Sequence, residues 1–260
     1  MARVLIRGSG DVGSAVGHLL LRHGHEVVIH DVARPAAPRR GMAFADAIFD
    51  GACELDGVRA RRAELDELGK GRRDEVLVSA SEPLGDVLAA LLPDVLVDAR
   101  MRKRAQPEIQ RGLTPLTIGL GPNFVAGETV DLAVETQWGD ELGAVVAQGA
   151  TKPLGGEPRA FDGHARDRFV YAPAGGVMRT DAAIAQRVAA GEIVATIGEQ
   201  PLRAPLDGIL RGLVHDGVPV AEGAKVIEVD PRGDLTKVFG IGPRPRRIAE
   251  GVLEAMARGA

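Results

Sequence analysis

The chain has 260 residues, enough for one large or two modest domains. Its 45% hydrophobic and 26% charged content is that of an ordinary soluble globular protein. A net charge of −4 and a pI near 5.9 argue against a general nucleic-acid or membrane-surface binder. Aromatics make up only 3%, so the core must be built from Val, Leu, Ile and Ala, and the single Cys53 excludes an internal disulfide and a cysteine-cluster metal site. No apolar run approaches the roughly 20 residues that span a bilayer, and the first residues read as a folding strand with Arg3 and Arg7 rather than a signal peptide. A cytoplasmic location is the expectation.

The first stretch organises the rest. Val4 to Ile6 predict a buried strand that runs into Gly8-Ser9-Gly10-Asp11-Val12-Gly13, followed by a helix with Val12, Val16, Leu19 and Leu20 on one face. This is the strand–glycine turn–helix opening of a dinucleotide-binding unit. Gly8 would make the tight turn, Gly10 let backbone approach a pyrophosphate, and Gly13 let helix and strand pack closely. Asp11 lies in the same turn, and the helix N-terminus supplies free N–H groups for phosphate. The next strand, Glu26 to Asp31, ends in an acid 18 residues after Gly13, where a carboxylate could take ribose hydroxyls. Beyond it lies the loop VARPAAPRRGMAF. Its Arg34, Arg39 and Arg40 either meet a phosphate or belong to a solvated loop, with Arg39 and Arg40 the candidates for a second anion.

A short helix over 43–50, an Asp56-Gly57 hairpin turn, a strand at 75–78, a helix at 83–92 and a strand at 94–98 follow. Such alternation predicts a Rossmann-like, mostly parallel sheet with helices on both faces. Strands at 116–120 and 130–136 come next. Asp98, Gly119 with Gly121, and Glu135 with Thr136 then stand at three consecutive strand ends and form a candidate substrate site.

Residues 172–198 align without gaps on 204–230 at an offset of 32: Ala172-Pro173 on Ala204-Pro205, Gly176 on Gly208, Arg179 on Arg211, Val188 on Val220, Gly191 on Gly223. Two copies are too few for a solenoid. They resemble the two halves of a small β barrel-sandwich, biotinyl/lipoyl-like domain. The joint, Thr196 to Arg203, carries no lysine, so a swinging-arm role is excluded. The expected division is a nucleotide-binding-type domain over 1–142, the barrel-sandwich domain over 143–240, and a C-terminal helix over 241–260 packing back with Ile248, Val252, Leu253 and Met256.

Taken in order, IRGSGDVGSAVGHLL, RRGMAFADAIFDG, VLVDAR, IGLGPNFVAG, VETQWGDELGAVV, the APAGGV and RAPLDGILRGLVHDGVPV halves, VDPRGD and IAEGVLEAM resemble the selenium-dependent molybdenum hydroxylase system proteins of the YqeB type. The resemblance implies an accessory role in molybdenum hydroxylase maturation, with the hydroxylase or its maturation proteins as partners. It supplies no reaction. Trp138-Gly139-Asp140 stands where the pattern usually carries Arg-Gly-His, and Asn123 stands where a glycine is frequent; asparagine tolerates the left-handed backbone.

Catalytic residues are not assignable. The chain has no GxSxG elbow, no HExxH pair among its six histidines and no Walker lysine after the glycines. Two functions fit: an accessory protein binding a nucleotide or phosphorylated pterin-type (molybdopterin-type) cofactor, or an NAD(P)-dependent oxidoreductase. The second lacks an obvious proton donor, since Tyr171 would have to fold back. A small anionic ligand is expected in either case; nucleic acid, membrane and metal are not, and a homo-oligomer is compatible with the sequence.

Overall fold

A computed structural model describes residues 1–80, 83–102, 105–155 and 158–259. The chain divides into two compact units: unit 1 holds 1–33, 43–155 and 241–260, and unit 2 holds 34–42 and 156–240. This differs from the expected 1–142 and 143–240 division at two places. Residues 143–155 stay with unit 1, and the arginine-bearing loop 34–42 belongs to unit 2.

Unit 1 runs β1 (Arg3–Arg7), α1 (Asp11–Arg22), β2 (Glu26–Asp31), α2 (Asp46–Asp50), β3 (Ala52–Leu55), β4 (Val58–Arg62) and β5 (Val76–Ala80). It continues through α3 (Leu84–Leu91), β6 (Val95–Asp98), β7 (Leu116–Leu120), β8 (Val125–Ala126), β9 (Leu132–Val134), β10 (Val145–Val146) and β11 (Gly149–Ala150). Nine strands form one sheet in the order β10-β9-β7-β6-β1-β2-β5-β4-β3, and β8 pairs with β11 apart from it. Leu5, Val28, Leu77 and Leu96 cover one sheet face with Val87 and Leu91 of α3. Ile6, Ile29, Val78 and Val97 cover the other, with Val12, Val16 and Leu20 of α1 and Ile248, Val252 and Met256 of the C-terminal helix. Each such side chain contributes roughly 1.5–3 kcal/mol by leaving water.

The expectation of a Rossmann-like, mostly parallel sheet followed by a barrel-sandwich, biotinyl/lipoyl-like domain is corrected. The nine-stranded sheet is mixed: β3 pairs antiparallel with β4 at one edge and β10 with β9 at the other. Helix is scarce, with 12 residues in α1, 5 in α2, 8 in α3 and 16 in the C-terminal helix. The physical reason is connection length. Asp56 and Gly57 turn β3 back on β4 with both residues at positive φ, 45° and 76°. Such a tight turn can join only antiparallel neighbours, because a parallel pair needs a long crossover.

Unit 2 runs β12 (Phe169–Tyr171), β13 (Gly176–Arg179), β14 (Arg187–Val188), β15 (Ile193–Ile197), β16 (Gln200–Arg203), β17 (Gly208–Leu213), β18 (Pro219–Val220) and β19 (Lys225–Asp230); α4 (Pro243–Arg258) then completes unit 1. Unit 2 consists of two small antiparallel sheets, β12-β19-β17-β14 and β16-β15-β13-β18. The sequence repeat is carried by the strands: β13, β14 and β15 recur as β17, β18 and β19. The copies exchange strands, since β13 pairs with β18 and β14 with β17. Close packing explains why both copies open on glycine. A Cβ on Gly176 would lie 2.6 Å from Ile197 Cγ2, and one on Gly208 would lie 2.4 Å from the Asp230 carbonyl oxygen.

Candidate functional site

The site is built on the carboxyl edge of the parallel strands of unit 1. β1 lies between β2 and β6, so the chain runs to opposite sides of β1 on leaving it and on returning. Gly8 leaves β1 at φ +106°, a conformation that a side chain strains, and its N–H donates to the His30 carbonyl (2.8 Å). A Cβ on Gly13 would sit 2.0 Å from the Gly8 carbonyl oxygen, so only glycine lets α1 start this close to the strand. Gly10 differs. It is the N-cap of α1 with no side-chain cap, and a Cβ there would meet nothing within 4 Å.

Asp31 does organisational work in the same turn. Its Oδ2 accepts from Ser9 N and Ser9 Oγ (both 2.7 Å), and its Oδ1 accepts from Val32 N (2.8 Å). A carboxylate has about four acceptor positions, so a ligand hydroxyl would be an added partner. Asp11 turns its Oδ1 to Val12 N (3.1 Å) and places a negative charge on the first turn of α1.

At the end of β6, Arg100 grips Asp98 through Nε (3.0 and 3.1 Å to its two oxygens) and Nη2, and Gln110 Nε2 donates to Asp98 Oδ2 (2.6 Å). Arg100 Nη2 and Arg7 Nη1 also donate to Glu108 Oε1 (2.7 and 2.6 Å), and Arg102 binds Glu108 Oε2. Burial alone would raise the Glu108 carboxyl, but hydrogen bonds from Arg102, its own backbone, Arg100 and Arg7 hold it well below the usual range. For Arg7, burial and the neighbouring Arg100 lower the pKa, and Glu108 and Asp98 offset this only in part.

Gly119 and Gly121 end β7, beside β6 and β9. A Cβ on Gly119 would enter the Phe124 ring at 2.3 Å, and one on Gly121 would lie 2.6 Å from Thr136 Oγ1. Glu135 is 3% exposed and accepts from three backbone amides: Thr136 (2.7 Å), Gln137 (2.8 Å) and Lys152 (2.8 Å). Asp98, Gly119, Gly121, Glu135 and Thr136 thus stand at neighbouring strand ends, yet Glu135 and the glycines serve packing and turn geometry. Asn123 holds φ +74°, the left-handed geometry expected of it.

Arg39 and Arg40 have partners of their own. They lie in unit 2, where Arg39 donates to Glu228 (Nε–Oε2 2.8 Å) and Arg40 Nε to the Leu213 carbonyl (3.0 Å). Glu228 is fully buried and also meets Arg168, Arg211 (2.8 Å) and Lys225 (3.3 Å). Tyr171 belongs to unit 2 as well. Burial pushes the Cys53 thiol up to about 11, unlike an activated nucleophile. The sequence reading passed over Arg7, Arg100, Arg102, Glu108 and Gln110; the signal available was a lone acid in the basic stretch after VLVDAR.

Fold and site define a protein with a mixed nine-stranded sheet, a glycine turn at the carboxyl edge of its central parallel strands, and a strand-repeat unit. No family model matches the chain. Over 97% of its length it is 37% identical to YqeB of Escherichia coli (strain K12), a protein described as uncharacterized, and it spans 47% of that relative, about half. This similarity supports the YqeB family for the chain. A stretch of 161 residues, 53% of the chain and 46% of the relative, is 31% identical to glycerol-3-phosphate dehydrogenase [NAD(P)+] of Edwardsiella ictaluri (strain 93-146). Among solved structures, the ectoine utilization protein EutE (DoeB) of Ruegeria pomeroyi is 14% identical (88% of this chain, 85% of that one, TM-score 0.25). The succinylglutamate desuccinylase/aspartoacylase of Rhodobacter sphaeroides is 16% identical (90% and 87%, TM-score 0.26). Likeness this weak carries no argument about the fold.

Proposed function

We propose that the chain binds a nucleotide or a phosphorylated pterin-type cofactor at the Gly8–Gly13 turn and serves as an accessory protein in maturation of a molybdenum hydroxylase. The observation that carries the binding reading is the uncapped N-terminus of α1, with open space over Gly10, at the point where the chain leaves β1 in opposite directions. The residues fit the phosphate end of such a ligand: amides at the start of α1 donate, Gly10 permits close approach, and Asp31 accepts a hydroxyl. Similarity to a protein named for NAD(P)+ supports the nucleotide class. The maturation role rests on the YqeB-type resemblance of the sequence alone.

Calorimetry with NAD, NADP and a molybdopterin nucleotide tests the binding. One of them should bind, and Gly10→Asp, which fills the open space with a negative side chain, should abolish binding while the far-UV spectrum and melting temperature stay in place. Undiminished binding in that variant sinks the site. For the accessory role, cells lacking the protein should yield hydroxylase with a reduced molybdenum content; full loading refutes it.

A further inference from the structure

The cluster at the end of β6 has two properties that bear on a ligand. One is charge: Arg7, Arg100 and Arg102 face Asp98 and Glu108, so without Glu108 three guanidiniums would face one carboxylate. The other is a pair of buried atoms without partners, the donor Arg7 Nε and the acceptor Gln110 Oε1, on residues only 8% and 1% exposed. Buried donors and acceptors are nearly always paired, so each of these two atoms can take a further hydrogen bond.

The two acids are not equivalent. Asp98 is 2% exposed, closes β6 and is tied down by Arg100 and Gln110. Glu108 has a side chain 45% exposed and lies in the stretch 105–115, which carries neither helix nor strand. A solvent-borne anion could replace Glu108 and leave Asp98 in place. We propose that Arg7, Arg100 and Arg102 form a subsite for the phosphate group of a small-molecule ligand, with Glu108 as a built-in stand-in that the ligand expels.

Phosphate suits the subsite better than a carboxylate does: as a dianion it balances the surplus of two, and its oxygens accept charge-assisted bonds from all three arginines, whereas a carboxylate carries a single charge. The subsite borders the glycine turn, since a Cβ on Gly8 would lie 3.0 Å from the backbone of Arg100. It does not depend on the nucleotide reading, because the arginines bind phosphate whatever occupies α1.

Calorimetric titration of the full chain with inorganic phosphate tests this. Glu108→Gln should bind phosphate at least about tenfold more tightly than the unaltered protein, because the internal competitor has lost its charge. Adding Arg100→Gln or, at a more exposed position that spares the fold, Arg102→Gln should remove most of that gain. Equal affinity before and after Glu108→Gln overturns the proposal, as does a gain that survives loss of both arginines. Acetate binding to Glu108→Gln as tightly as phosphate overturns the assignment to phosphate.

Discussion

Gly13→Ala and Gly10→Ala add the same methyl group three residues apart and should give opposite results. At Gly13 the new Cβ would be 2.0 Å from the Gly8 carbonyl oxygen and 3.3 Å from Ala99 Cβ. The oxygen cannot swing aside, because the Gly8 N–H is bonded to His30 and the Gly8 backbone abuts Arg100. The first turn of α1 must therefore lift off β1, an overpacking cost of about 1–3 kcal/mol, with more to be lost if Val12 and Val16 leave their contacts. Alanine recovers up to about 1 kcal/mol of helix propensity, so the overpacking leaves a net loss of up to about 2 kcal/mol. At Gly10, φ is −67° and ψ −179°, and the Cβ would meet nothing. There the mild N-cap penalty and the reduced unfolded-state entropy nearly cancel, within about 0.5 kcal/mol. Urea unfolding followed by circular dichroism, with the midpoint converted through a shared m-value, reads both. The Gly10 variant should keep its midpoint yet lose nucleotide affinity, and the Gly13 variant should show the lower midpoint. Equal midpoints, or a destabilised Gly10→Ala, would refute the division of labour between the two glycines.

Glu228→Gln should destabilise unit 2 by about 3–5 kcal/mol, because four cationic side chains would surround a neutral amide; differential scanning calorimetry that finds unit 2 unshifted refutes this. Burial works to raise the Glu228 carboxyl, but Arg39, Lys225 and Arg211 hold it well below its ordinary value. A depressed carboxylate stabilises the fold fully above its unfolded pKa of about 4.3, and the contribution fades as pH falls through the folded value. The melting temperature of unit 2 should therefore be level from neutral pH to about 5 and drop below 4; a decline already complete at pH 5 contradicts this assignment. With its thiol near 11, Cys53 should react with Ellman's reagent at pH 8 far more slowly in the native protein than in urea, and equal rates would show that the thiol is not shielded. Glu135→Gln should cost about 2–3 kcal/mol, since a buried carboxamide keeps only one acceptor oxygen for three amide donors; an unchanged urea midpoint counts against that account.

Legibility in the sequence followed how local the cause was. The glycine turn was readable because strand, turn, helix and acid all fall within 31 residues, and the structure places Asp31 on Ser9 within that same stretch. The repeat was readable because each copy is a local strand pattern, and every strand of the first copy has its counterpart 32 residues on. Nothing local distinguished Arg39 and Arg40 from phosphate readers. Their partners, Glu228 and the Leu213 carbonyl, lie more than 170 residues along the chain.

The chain's own pattern thus determined where strands and turns fall, because apolar periodicity and positive-φ positions act over a few residues. Which carboxylate each arginine meets was decided only by tertiary structure, since charges far apart in sequence become neighbours through packing alone. The mixed sheet belongs with the second kind. Asp56-Gly57 announced a hairpin, but its addition to the edge of the parallel strands followed from the Ala60–Val76 pairing, which no local signal records.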